Sequence, residues 1–433
     1  MSKTAFVRTE MLEQQAPPVN TDGPIGWLRK NLFYSVGSSI ATLLTVVVLG
    51  WLIYALVHWL AVPTWMAQSL TDCRSIIAEL GREGHGSGAC WGVIRDRSIQ
   101  LLFGFYPSDQ FWRPILSVLL LVPALAPILF ASKVPSRLIW FSALYPFLLL
   151  WLLWGGSIWV FISVMAGFAI GYLAFQIANG LNVLVRIAIC LAAVLLWWGF
   201  AIAPLSNILS SVIPIDLDPV SSRKFGGFML SLTIGIIAIG FSLPIGILLA
   251  LGRRSDLILI KVLCVGFIEL IRGVPLITLL FVASTLLNIF LPPGTEFDII
   301  MRVIIMATLF SSAYMAEVIR GGLAALPTGQ YEGADSLGLD YWQSQRLIIM
   351  PQALKVSIPG IVSTFIALFK DTTLVSVIGL LDPLGLTTAI RANQEWAGIV
   401  WELYGFIAFL FIIVTFSMSR YSLYLERKLH TDH

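Results

Sequence analysis

The sequence predicts an all-α, polytopic membrane protein with about ten transmembrane helices. Three observations carry this. Hydrophobic residues make up 58% of the 433 and charged residues only 12%, with a mean hydropathy of +0.88; a soluble domain carries about 25% charged residues. The apolar residues gather in runs of about twenty, the length that crosses a ~30 Å hydrocarbon core. Fifteen tryptophans suit the two interfacial belts of a bilayer. A net charge of +3 is too small to argue for nucleic acid, so the lipid bilayer is the partner the composition points to.

In chain order, residues 1–34 begin polar, lack the apolar core and small-residue cleavage site of a signal peptide, and read as a cytoplasmic tail. Residues 35–205 hold about five spanning runs, near 36–61, 112–131, 137–154, 157–177 and 183–205, with a polar loop at 62–111. Residues 206–224 are a polar linker with Pro214, Asp216, Asp218 and Pro219. Residues 225–425 hold five more runs, near 225–251, 258–290, 299–320, 354–380 and 399–420. Cys73 and Cys90 share the polar 62–111 loop, where an oxidising compartment would allow a disulfide and a reducing one would leave thiols. Cys190 and Cys264 fall in apolar runs as small fillers. No Cys/His spacing suggests a metal site or haem, and no G-x-x-x-x-G-K-[ST] loop is present for ATP.

Orientation follows from Lys and Arg in short loops. Arg29-Lys30, Lys133/Arg137, Arg253-Arg254 and Arg427-Lys428 are separated by even numbers of runs, so all four pairs sit inside together. Both termini and the loop 321–353 then lie inside, and 62–111, 206–224, 291–298 and 381–398 outside. Arg223-Lys224 is the one basic pair on the wrong side.

The loop 321–353 is a polar island between two apolar runs. Pro327 stops the preceding helix, Thr328 is placed to cap a short helix carrying Tyr331, Glu332, Ala334 and Leu337, and Gly338 breaks it. Asp340 with Gln343 has the form of a capping box for a second short helix, and Pro351 marks its end or the start of the next. A helix–Gly–helix elbow on a membrane face is a shape for a partner to grip.

These residues carry a resemblance. Glu332-Gly333-Ala334, three residues, Gly338, nine residues, then Ile348-Ile349-Met350-Pro351 resembles the E-A-A loop of ABC importer permeases, with Gly333 for Ala and Met350 for Leu. Three further segments resemble the permeases for polar amino acids. Gly266-Phe-Ile-Glu269-Leu-Ile-Arg272-Gly273-Val-Pro275-Leu resembles Y-x-E-x-x-R-G-T-P-L, and Ser312-Ala-Tyr314-Met-Ala-Glu317-Val-Ile-Arg320-Gly321-Gly322 resembles A-A-Y-x-A-E-x-x-R-G-G. Phe369-Lys370-Asp371-Thr372-Thr373-Leu374-Val-Ser376-Val-Ile-Gly379 matches K-D-T-S-L-x-S-V-I-G. The resemblance covers about half of the chain, and implies a type I ABC importer permease core at 225–425. The extra N-terminal helices resemble the long permease subunit of bacterial general L-amino-acid uptake systems. Their role stays open between a scaffold and a contact of the 62–111 loop with a binding protein.

The resemblance implies an inner-membrane subunit that does no chemistry and binds no cofactor. ATP and Mg would sit on a separate ABC ATPase dimer. The other implied partners are a second permease subunit and a periplasmic amino-acid-binding protein. Glu332, Gly333, Ala334, Gly338 and Pro351 would form the ATPase-coupling element, with Glu317 and Arg320 anchoring it. Ionisable groups inside a span are costly, so Glu269, Arg272, Asp371 and Thr372 are candidates for the substrate pathway; the Gly273–Pro275 break that follows Arg272 in mid-run is tolerated where it lines a cavity, and broken helices often mark the substrate site of transporters. Glu269 and Arg272, three apart on one helix, could pair; Asp371 with Arg272 could take the two charges of an amino acid. Structural ion pairs are the competing reading. The alternative for the whole chain is an ion-coupled secondary transporter, with Glu269 and Asp371 as proton carriers, although the halves show no evident inverted repeat. An enzyme is not indicated, since no nucleophile–base or paired-carboxylate arrangement is found.

Overall fold

The computed structural model describes residues 23–62, 64–82, 88–130, 133–286, 289 and 297–429, and its contacts divide the chain into two compact units, 1–92 and 93–433. In the first unit, α1 (Pro24–Asn31) falls in the expected tail. Helix α2 (Val36–Leu60) has 25 residues, and Ser35 caps it by accepting from the Ser38 amide at 3.1 Å. At 1.5 Å rise per residue it outspans a ~30 Å hydrocarbon core. Helix α3 (Leu70–Glu79) is capped by Ser69. Cys73 and Cys90 are joined in a disulfide across 17 residues, with Cα atoms 5.9 Å apart, and Thr64 donates to the Ala89 carbonyl beside it.

The second unit opens within the first turn of α4 (Gly92–Phe103) and continues with α5 (Trp112–Leu129), α6 (Ile139–Trp154), α7 (Ile158–Ile177), α8 (Val183–Leu196) and α9 (Ile202–Val212). A π-helical turn at Trp197–Ala201 joins α8 to α9, so the fifth span runs to Val212 and the connecting segment begins at 213 rather than 206. Two short strands, Gly156–Ser157 and Asp216–Leu217, pair antiparallel and tie that segment to the α6–α7 turn.

The core follows: α10 (Gly227–Arg253), α11 (Ile258–Gly273), α12 (Leu276–Phe281), α13 (Ile299–Ala324), α14 (Thr328–Ser336), α15 (Tyr341–Ser344), α16 (Met350–Asp371), α17 (Pro383–Arg391) and α18 (Trp401–Leu429). Helix α13 is the centre: 61% of its apolar window is buried, against 39% for α10 and 17% for α18. Leu230, Ile234 and Ala238 of α10 pack with Ile300, Val303 and Ala307 of α13 and with Leu368 beneath them.

Among the described residues, nine helical segments are long and apolar enough to cross a bilayer, and α11 with α12 makes a tenth as a pair bent by 102°. The run over 258–290 is therefore broken at Gly273–Pro275, where the sequence places a break. Pro275 lacks an amide proton and disfavours helix at Val274, which is extended at φ −113°, ψ 132°. The pair still crosses. Arg254, after α10, donates to the Tyr331 hydroxyl of α14 at 2.9 Å, so both lie at one end of the bundle. The two elements between them, the bent pair and α13, must make an even number of crossings. At the other end, Gly227 donates to the Leu381 carbonyl at 2.8 Å and Phe105 to that of Lys224 at 3.1 Å. The Arg223-Lys224 pair thus sits at the end opposite Arg253-Arg254.

Candidate functional site

The elbow between α13 and α16 is built by local chemistry. Pro327 is the N-cap of α14 and Thr328 its first residue, with no side-chain cap bond, so the cap expected at Thr328 is not formed. Proline already fixes an extended φ/ψ there. The C-terminus closes in a Schellman arrangement: Leu339 donates to the Ala334 carbonyl at 3.3 Å and Gly338 to that of Asp335 at 2.9 Å. This needs a left-handed residue, and Gly338 has φ 68°. Asp340 and Gln343 form both halves of a capping box on α15. A π-helical turn at Gln345–Ile349 follows, and α16 starts with Pro351 in its first turn, where the missing amide costs nothing.

One face of the elbow is held and the other is bare. Ala334 and Ile349 are fully buried and Tyr331 and Ile348 half-buried, in a cluster with Ala250, Met315 and Leu323. Tyr331 donates to the Leu323 carbonyl at 3.3 Å, and Arg254 lies 5.4 Å over its ring. Gln352 reaches back to Gln330 at 2.9 Å. On the bare face, Glu332, Gly333, Gly338 and Asp340 are exposed, and so are Leu337, Tyr341, Trp342 and Leu347.

Behind the elbow lies a five-charge cluster from three helices. Glu317 of α13 takes Arg253 of α10, Arg320 at 3.0 Å and Arg272 of α11 at 3.8 Å, and Arg253 also reaches Glu269 at 3.1 Å. Two expectations change. Arg272 does not pair with Glu269 on its own helix; each finds a partner on another helix, Glu317 for Arg272 and Arg253 for Glu269. Arg272 is not among the residues that line the cavity at Asp371. Asp371 and Thr372 line a small cavity with Ile234, Leu276, Leu280, Val303 and Val375, and Thr372 donates to the Phe369 carbonyl at 2.7 Å. Arg253 and Arg254, read in the sequence only as markers of orientation, are the residues that connect the cluster and the elbow. At the far end of the bundle, Asp382 caps α17 through the Leu384 and Gly385 amides, and burial pushes its carboxyl up to about 6.

A membrane helix broken at Val274–Pro275 is a feature that transporters share. Residues 242–431 match the family model of the binding-protein-dependent transport system inner membrane component. The chain belongs to that family, the permease subunits of ABC transporters, in the branch formed by amino-acid permeases. It is 57% identical over the full length of both chains to the glutamate/glutamine/aspartate/asparagine transport system permease protein BztC of Rhodobacter capsulatus. It is 38% identical to the inner membrane amino-acid ABC transporter permease protein YhdY of Escherichia coli, over 95% of each. A crystal structure of an amino acid ABC transporter with histidines matches 46% of this chain and 91% of its own, at 30% identity and TM-score 0.42.

Proposed function

We propose that the chain is one permease of an ATP-driven importer of amino acids, with acidic amino acids and their amides as the first substrates to test. In this reading a periplasmic binding protein delivers the substrate, a second permease completes the pathway, and an ABC ATPase dimer carrying ATP and Mg supplies the work. Both termini and the elbow face the cytoplasm, in keeping with Arg253, Arg254, Arg427 and Lys428 at that end. Cys73 and Cys90, bonded in the structure, suit an oxidising periplasm.

The observation that carries the reading is the elbow: buried on one face at Ala334, exposed on the other at Glu332 and Trp342. Glu332, Gly333, Gly338 and the flanking apolar side chains are the surface for the ATPase, and Ala334 and Pro351 fix its mount. Arg254 and the Glu317–Arg320 cluster anchor the elbow to α10, α11 and α13. Asp371 and Thr372 are the pathway residues this reading keeps; Glu269 and Arg272 belong instead to the anchor. Coupling requires the elbow to bind open and closed ATPase dimers with different affinity, since equal affinity shifts no equilibrium.

The test is gentle purification of the tagged chain with mass spectrometry of what accompanies it, for wild type and for Glu332→Ala combined with Gly338→Pro. Recovery of an ATPase and a second permease with wild type, and their loss from the variant, supports the reading. A wild-type chain that comes out alone and moves amino acids on a proton gradient without ATP overturns it.

A further inference from the structure

The part of the chain before the family match has an assignable task, and it falls to α4. Trp396 is completely buried in a 3₁₀ turn, Gln394–Trp396, that leads into α18. Its indole donates at 2.9 Å to Asp96 of α4, 300 residues away. Arg97 holds the same carboxylate oxygen at 2.9 Å and reaches Glu395 at 2.9 Å. Two acids, one base and a buried N–H thus close a ring between α4 and this turn. A buried indole N–H left without an acceptor is costly, so the ring is specific to this docking.

The other end of the same segment is gripped by backbone alone. Gly226 lies between Gly104, just after α4, and Leu381: a side-chain carbon on Gly104 would come within 2.5 Å of Gly226, and one on Gly226 within 2.7 Å of the Leu381 carbonyl. Gly226 and Leu381 form a parallel bridge. The absence of a Cβ at both Gly104 and Gly226 lets these two backbones meet so closely beside Leu381. Helix α4 therefore holds the 394–396 turn directly and Leu381 through Gly226. That segment directly follows Thr372–Ile378, the 3₁₀ stretch that runs on from the cavity at Asp371, across a left-handed Gly379 at φ 86°.

We propose that α4 is a positioning element for the segment 381–396: through Asp96 and Arg97 at one end, and through Gly104 against Gly226 at the other, it holds that segment in the place where substrate is handed on past Asp371. The proposal rests on the importer reading above, and it assigns α4 a role in substrate capture rather than in power transmission. The clasp lies at the end of the bundle opposite the elbow. Loosening it raises the concentration of loaded binding protein needed for half-maximal uptake and leaves maximal turnover and basal ATP hydrolysis in place.

The experiment uses the full complex in proteoliposomes, with uptake measured against the concentration of glutamate-loaded binding protein. Asp96→Ala should raise the half-saturating concentration about tenfold, the loss expected for one charge-assisted hydrogen bond. Trp396→Phe should raise it less, because Asp96 keeps Arg97, and the double variant should be no worse than Asp96→Ala alone. Hydrogen exchange at 381–396 should quicken in the same order. An unchanged half-saturation with the complex intact, or a fall in maximal rate at unchanged half-saturation, overturns the proposal. If Asp96→Ala does not assemble, Trp396→Phe decides by the same criteria. A wild-type complex that takes up nothing with ATP counts against the importer reading; exchange at 381–396 then decides the clasp, and unaltered exchange in Trp396→Phe refutes it.

Discussion

Glu317→Gln removes one negative charge from beneath three arginines. The side chain is 17% exposed, and its partners Arg253, Arg272 and Arg320 are 25%, 33% and 46% exposed. Exposed ion pairs contribute about 0.2–1 kcal/mol each, while stripping one partner from a buried pair costs about 3–5 kcal/mol. This cluster lies between those limits, and Gln keeps an acceptor for one arginine. The expected loss is about 2 kcal/mol in the contact of α10, α11 and α13 at the elbow end, or about 30-fold in the ratio of closed to open. Hydrogen exchange in lipid nanodiscs reads this directly: amides at the α10 C-terminus and the α11 break should exchange about 30-fold faster, while α2 is unaltered. Salt should lessen the difference between wild type and variant, since partly exposed charges are screened. Exchange within twofold of wild type at low salt would refute the claim that Glu317 ties the three helices.

Three further outcomes follow from single contacts. Gly338→Val forces a side chain into a left-handed backbone with nothing nearby to compensate. It should cost about 1–2 kcal/mol and reduce ATPase co-purification about tenfold, whereas Gly338→Asn should keep most of it. Glu332→Ala removes an exposed carboxylate, so thermal stability should stay within about 0.5 kcal/mol of wild type while ATP-driven uptake falls. Asp382 titrates near 6 folded against an ordinary 3.8. Its raised value means that the native state holds the proton more tightly, so stability is full below 3.8 and is lost as pH rises through about 6. That amounts to ~3 kcal/mol for local opening of α17. Asp382→Asn, which keeps an acceptor for the cap, should flatten that slope in hydrogen exchange at residues 383–391.

The spans and the elbow were legible because they rest on local rules. Run length places α2, α10 and α13 to within a few residues, and Gly338 and the Asp340–Gln343 box announce themselves by type and spacing. The cap at Thr328 was misplaced because a preceding proline performs the same task without a side-chain bond. The break at Val274–Pro275 was legible in Gly273 and Pro275, whereas its 102° angle was not, because no local rule sets it. Ion-pair partners were not legible: Glu269 and Arg272 are neighbours by helical spacing, but the competing charges Arg253 and Glu317 come from other helices. The Asp96–Trp396 contact spans 300 residues, and no local pattern encodes it.

The central claim is that the elbow makes ATP the source of work for amino-acid movement through this chain. The most direct measurement is uptake of labelled glutamate into proteoliposomes holding the chain with its co-purified subunits, with the binding protein outside and ATP sealed within on the elbow side. Uptake against a gradient that needs ATP and the binding protein, persists when the proton gradient is collapsed, and is lost in Glu332→Ala while ATP hydrolysis continues is the predicted result. Uptake that ignores ATP and stops with the proton gradient would contradict the account.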